Sequence, residues 1–413
     1  MAYVWRVTEA FGAFKSCPPA GLLADALATA ETAPVSIDLV ADRAGLDALE
    51  PEWNELFRRS ARDHQLFQSF NWNWHWANHY LPHNGRRCRL AIVTVRRNGR
   101  LAVLWPLVAE RVAGLSVLHW MGEPASQYGD VLAEDAADTP ELLRRSWRFI
   151  ATRLEADAVF LRKVRADAAV APLLAGSGML QTTAAEAPYL DLASAPDSAG
   201  YEQRYSAKAR KNRRRLLRRL AERGPIEIER LVGPAAREAA LDAIALKQTW
   251  IAHTGRVAPA LADPRFAAFF ADAVEGRGRD TGCGVTVLKS NGEIAGIAVD
   301  VTAGTRRAAH IIVHDPRLDS FSAGTLLLQE WIRGASADRI ATFDLLAPAY
   351  AYKREWADGV VAVGDFAAGF TLAGRAWVRV YLGLLRQRIK VGVEASTALI
   401  RRLRAWSVGW VRP

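Results

Sequence analysis

Between residues 35 and 372 the chain alternates between two hydrophobic rhythms. One has period two and the other recurs every three to four residues, the signatures of strand and helix. Ser36–Val40 reads as a short strand, followed by a helix over about 42–60 and a Trp-rich helix over about 70–81. Leu90–Arg97, Leu101–Glu110 and Leu115–Trp120 read as three strands; a helix near 139–155, the apolar strand Ala158–Leu161, a short helix and an extended region ending near Leu192 follow. Ile226–Leu231 then opens a second series: helices at about 234–253 and 264–275, and strands Gly284–Lys289, Ile294–Thr302 and Arg307–Val313. A helix at about 322–334, the strand Ile340–Leu345, a short helix around 350–357 and a hairpin ending near Thr371 complete it.

The two series share one order, and Val93–Ala102 echoes Val285–Ala295 with one extra residue. In both, an Asn-Gly pair supplies the positive φ angles of a tight hairpin turn. The expected organisation is a loose tail (1–34), a first α/β domain (35–192), a basic linker helix (193–224), a second domain (225–372) and a basic amphipathic helical segment (373–413). The repeated order reads as a gene duplication.

Charge changes this picture in two places. Residues 204–219 hold nine Lys/Arg and no acid, and residues 375–413 hold nine against Glu394 alone, so the rest of a +10 chain is net acidic. Basic grafts invite nucleic acid, but neither is followed by heptads and no zinc-ligand spacing is present, which disfavours it. In the tail, Trp377, Tyr381, Leu384 and Leu385 fall on one helical stripe and Arg375, Arg379, Arg386 and Lys390 on another; Leu399, Leu403, Trp406 and Trp410 form a further stripe beside Arg401, Arg402 and Arg404. That is the pattern of a helix lying on an anionic membrane, or of a terminal helix packed on the body with its arginines in water. No run reaches the roughly 18 apolar residues of a membrane span. Arg6 is followed by Glu9 and no clean apolar stretch, so no secretory signal is expected. Three scattered cysteines suit a reducing cytoplasm, with peripheral contact at the inner face of the membrane.

Six segments together resemble a known family: Phe67–Trp72 (FQSFNW), Tyr128–Leu132 (YGDVL), the basic stretch Ser206–Arg219, Lys247–Trp250 (KQTW), His314–Pro316 with Ser322–Leu327 (SAGTLL), and Phe343–Leu346 with Tyr352–Trp356 (YKREW). In this order they resemble the cellulose-biosynthesis-type acetyltransferases, which carry two tandem GNAT (Gcn5-related N-acetyltransferase) halves and are related to the Fem peptidyltransferases. Gly129 and Ala323 depart from the pattern. The resemblance implies two tandem GNAT-like domains with mixed, mostly antiparallel sheets flanked by helices. It also implies acyl-CoA as co-substrate and an amine acceptor, on an amino sugar of an exopolysaccharide precursor or an amino lipid.

The residues suggest where that chemistry would sit. Ser322 can cap a helix, and the small Ala323 and Gly324, with Thr325 and Leu326, let an anion approach free N–H groups, although an ordinary capped helix start has the same look. The resemblance makes this turn the coenzyme A site. Amine acylation needs a base and a proton donor to the thiolate; His314 or Asp344 is the candidate base, Tyr352 the donor, and Lys353 a phosphate ligand or a partner of Asp344. Phe67, Gln68, Tyr128, Asp130, Lys247, Trp250 and Trp356 are the candidate substrate contacts. Trp72 and Trp76 are spaced as core residues. His75, His79 and His83 imitate a metal face, but Pro82 breaks the helix and no carboxylate has the right spacing, so no metal is expected. Cys283 opens a strand and reads as buried. Two other readings stand beside acyl-CoA transfer: Fem-like transfer from aminoacyl-tRNA, favoured by the basic linker, and a non-catalytic scaffold for polysaccharide biosynthesis.

Overall fold

A computed structural model describes residues 34–84, 87–254, 258–276, 281–386 and 388. The tail expected over 1–34 lies outside the described residues except Pro34, as do Lys390 and the Leu399–Trp410 stripe.

The first series of strands is β1 (Val35–Val40), β2 (Cys88–Leu90), β3 (Ile92–Arg97), β4 (Arg100–Trp105), β5 (Leu107–Val112), β6 (Leu115–Trp120), β7 (Leu132–Ala133), β8 (Ala158–Arg165) and β9 (Leu180–Asp191). The second is β10 (Ile226–Val232), β11 (Thr281–Ser290), β12 (Glu293–Ala303), β13 (Arg306–His314), β14 (Thr342–Asp344) and β15 (Gly359–Gly369). The helices that matter are α1 (Arg43–Ala48), α2 (Glu50–Ser60), α3 (Phe70–Asn84), α4 (Thr139–Arg153), α5 (Ala207–Ala221), α6 (Ala236–Thr254), α7 (Pro264–Ala273), α8 (Ala323–Ala337), α9 (Ala351–Trp356) and α10 (Leu372–Ala376), which runs into a π-helix, Trp377–Leu385.

Both Asn-Gly hairpins form. Asn98 and Gly99 take φ 53° and 76° between β3 and β4, and Asn291 and Gly292 take 56° and 76° between β11 and β12. The continuous strand expected over 101–110 does not form. Pro106 has no N–H to donate, and the chain turns there from one sheet into another. β4 stays in a small sheet ordered β1-β3-β4-β7, while β5 enters a large one ordered β10-β11-β12-β13-β14-β9-β15-β8-β6-β5-β2. The single helix expected over 42–60 is likewise two, divided at Leu49 where Pro51 starts a new first turn. Pro82, expected to end α3, lies inside it.

The largest departure is at the end of the second series. No hairpin forms before Thr371. β15 is one long strand that leaves its own series and inserts between β8 and β9 of the first, antiparallel to both. β9 in turn pairs with β14 of the second series. The two halves therefore share one sheet.

Trp72, Trp76 and Tyr80 are buried in α3, with Trp76 stacked on Tyr80 at 5.3 Å, so the aromatic cluster is core. Cys283 is buried, and burial pushes its thiol far up. The tail helix buries Val378 and Leu382 against the body and packs Trp377 of the expected stripe on Phe160, 6.4 Å between ring centres. The wider π-helical turn rotates the face, leaving Leu384 and Leu385 outward.

Candidate functional site

β13 pairs with β12 along nearly its whole length, but with β14 only over Arg306–Ala308, opposite Thr342–Asp344. Beyond Ala308 these two parallel strands diverge. Asp344 is why the split begins there. Its fully buried carboxylate accepts from the Tyr128 hydroxyl (2.8 Å), Arg165 (3.1 Å), Arg306 (3.1 Å) and the Leu346 N–H (2.9 Å). Donors from both halves thus close over the end of β14. This occupies the carboxylate and corrects its expected part as a base.

The divergence leaves Ala309–Ile312 along one wall of a cavity of about 360 Å³. The opposite wall comes from the first half, through Pro124, Gln127, Arg162 and Lys163; α6 contributes Lys247, and α9 with its preceding turn contributes Tyr350, Tyr352 and Lys353. With no strand beside it, the Ile312 carbonyl accepts from Lys247 Nζ at 2.9 Å, and that ammonium lies 4.4 Å from the Trp250 ring centre.

Two amines here are weakened as cations. Lys353 donates to the Leu346 carbonyl (2.8 Å); burial brings its pKa down to about 8, against the pull of Asp344 and with help from Lys247. Lys163 donates to the Ser126 carbonyl and Gln127 Oε1 (both 2.9 Å); burial, aided by Arg162, brings it down to about 8 as well. Lys163 holds a left-handed backbone (φ 56°) where β8 bulges against β15, and its own N–H is held by the Asp365 carboxylate at 2.8 Å. His310 donates from Nε2 to the Ala125 carbonyl (2.6 Å), and burial holds it near 4, so it is neutral at physiological pH.

Of the residues singled out from sequence, Lys247, Tyr352 and Lys353 meet in this cavity. Tyr352 stands at its rim, 43% exposed and stacked on Tyr350. His314 does not line it. Its Nε2 pairs with Asp319 at 2.6 Å and its ring lies against Gly324, where an added Cβ would come within 2.8 Å of Nδ1. Ser322 adopts a left-handed conformation and its hydroxyl does not cap α8, contrary to expectation; Ala323 and Leu326 are buried, with Thr325 beside them half-buried. Arg219 and Arg223 lie over the Phe321 ring just before this turn, at 5.3 and 5.4 Å.

The acceptor contacts expected in the first half are internal. Asp130 is buried and accepts from Gln65 and the N–H groups of Val131, Ala169 and Val170. Gln68 bonds the Tyr128 carbonyl, and Phe67 packs on Trp72, Tyr128 and His310. Trp356 is buried beneath Arg213 of α5, away from the cavity. His310, Lys163, Gln127 and Arg162 escape sequence reasoning. The only visible hint is a histidine in the otherwise apolar run Ala308–Val313. Among the described residues no group of three side chains has metal-ligand geometry.

Residues 207–354 match the family model described as an acetyltransferase (GNAT) domain. No curated protein matches the chain in sequence. Among solved structures, FemX is 12% identical, with a TM-score of 0.56 over 80% of this chain and 98% of that one. The C-terminal domain (DUF2156) of a putative lysylphosphatidylglycerol synthetase from Agrobacterium fabrum is 13% identical, with a TM-score of 0.50 over 81% and 94%. A tandem GNAT protein from the clavulanic acid biosynthesis pathway is 14% identical, with a TM-score of 0.44 over 81% and 99%. The fold is therefore GNAT, a mixed α/β sheet flanked by helices.

Proposed function

We propose that the chain is an N-acyltransferase that moves an acyl group from acyl-CoA to an amine in the cavity between β13 and β14. The carrying observation is the parting of these strands after Ala308, which leaves an open strand edge ringed by Lys163, Lys247 and Lys353. An extended pantetheine-like arm can lie along that edge, with its phosphates at the Ser322–Leu326 turn beside His314, Arg219 and Arg223.

The acceptor amine attacks the thioester carbonyl; a C–N bond forms and the C–S bond breaks. Lys353, neutral in part near pH 8, takes the amine proton. The Lys163 ammonium faces the developing oxyanion, and Tyr352 protonates the leaving thiolate. The acceptor is an amino sugar of a polysaccharide precursor or an amino lipid, presented at the membrane surface by residues 373–413. Calorimetric titration with acetyl-CoA, palmitoyl-CoA and dephospho-CoA tests the donor; silence toward all three removes this reading.

One observation favours aminoacyl-tRNA as donor instead. α5 carries the basic run of the linker, with Arg213 stacked 3.8 Å from Trp356 and 4.1 Å from Tyr205. Transfer that requires charged tRNA and fades steeply with modest salt would select it.

A further inference from the structure

A second hollow, of about 300 Å³, lies behind the cavity. One wall is the outer face of β5, β6 and β8, where Val112, Val117 and Phe160 point outward; the other is the π-helix, through Trp377, Tyr381 and Leu382. It is a trough with an apolar floor, edged by the Glu110–His119 pair (3.0 Å), at the small end of the roughly 300–1,000 Å³ usual for ligand sites.

Two features say what it takes. At its inner end it meets the acyl-transfer cavity, since Pro124 and Arg162 line both. Arg162 pairs with Glu123 through one guanidinium nitrogen at 3.0 Å, while its Nε is buried with no hydrogen-bond partner. Arg386, just past the π-helix, reaches the same place, 5.1 Å from the Phe160 ring centre and 3.9 Å from the Asp365 carboxylate. The π-helix exposes Val380, Tyr381, Leu384 and Leu385, and Leu372, at the start of α10, is 84% exposed. No helix of the described residues is long and apolar enough to cross a membrane. A short helix with bare aliphatic and aromatic side chains is suited to lie in a bilayer surface. The trough thus runs from an apolar outer face to a junction where Arg162 and Arg386 stand beside Glu123 and Asp365, and on to the reacting centre.

We propose that the acceptor is a phosphate-headed lipid, its tail in this trough, its phosphate on Arg162 and its amine in the cavity near Lys353. The proposal rests on the transfer reading above and names its acceptor class. A soluble phosphate would gain nothing from the apolar floor, and an uncharged amphiphile nothing from the junction.

The test is calorimetry on the full chain with dihexanoyl phosphatidylethanolamine kept monomeric, and with glycerophosphoethanolamine, which has the head without the tails. The lipid should bind at least about tenfold more tightly than the headgroup. Arg162→Gln should weaken it about tenfold, as expected for one lost charge-assisted bond. Val117→Trp, which fills the trough, should abolish lipid binding and leave acetyl-CoA binding intact. Equal binding of lipid and headgroup overturns the proposal, and that comparison needs no variant. So does lipid binding indifferent to both substitutions. Lipid binding without any acyl-CoA binding would leave the trough standing and remove the transfer reading.

Discussion

Lys163 occupies a backbone region that disfavours any residue with a Cβ by about 1–2 kcal/mol. The bulge of β8 and the Asp365 carboxylate hold it there, which aims its side chain at the cavity. Such strain persists where the surroundings over-determine it, often at working sites. Lys163→Met should lower kcat by about 10²–10³, the usual scale for one lost oxyanion donor, with little change in KM. Lys353 gives a different signature. With a pKa near 8 it gives kcat a rising limb, while Lys163, needed as an ammonium and also near 8, gives a falling one; kcat should peak near pH 8, and Lys353→Met should lose the rising limb. His310 makes a stability prediction. Its folded value, near 4, is below the ordinary 6.5, so the folded state resists protonation. Stability should be full above about pH 6.5 and fall as pH drops toward 4. Urea midpoints at pH 7 and 4.5 should show this drop, and His310→Gln should reduce it.

At the scale of elements, the turn before α8 is fixed by packing as much as by any ligand. The His314 ring, held by Asp319, excludes a Cβ at position 324. Gly324→Ala should therefore destabilise by about 1–3 kcal/mol, as overpacking does, and His314→Ala in the same chain should recover most of it in denaturant unfolding. The same scale shows what the sequence could carry. Asn98-Gly99 and Asn291-Gly292 announce their hairpins because turn geometry is local. Lys247, Tyr352 and Lys353 are recognisable from motifs that fall on or beside regular elements. Lys163 and His310 are not, because one owes its direction to a bulge and the other its place on the cavity wall to the end of β14, both set by distant chain. The rotation of the tail stripe by a π-helix is hidden for a related reason: residue spacing alone does not say how wide the turn is.

At the scale of the molecule, the tandem order is legible but the exchange between halves is not, since β15 carries no mark of the neighbours it will choose. Asp344 shows the energetic side of that union. Asp344→Asn leaves Arg165 and Arg306 buried against a neutral group, and should reduce unfolding free energy by about 3–5 kcal/mol. Heat unfolding should be one transition reported alike by probes in either half; two separate transitions would contradict the shared sheet. The strand exchange also bears on how the protein is born. β8 and β9 leave the ribosome long before residue 369, so their facing edges must wait for a partner. At about 5–20 residues per second that delay is roughly 10–35 s. Throughout it the nascent chain exposes two unpaired strand edges, a natural template for pairing with the wrong chain. Holding those edges apart until β15 arrives is a task for chaperones, and one that slower synthesis makes longer.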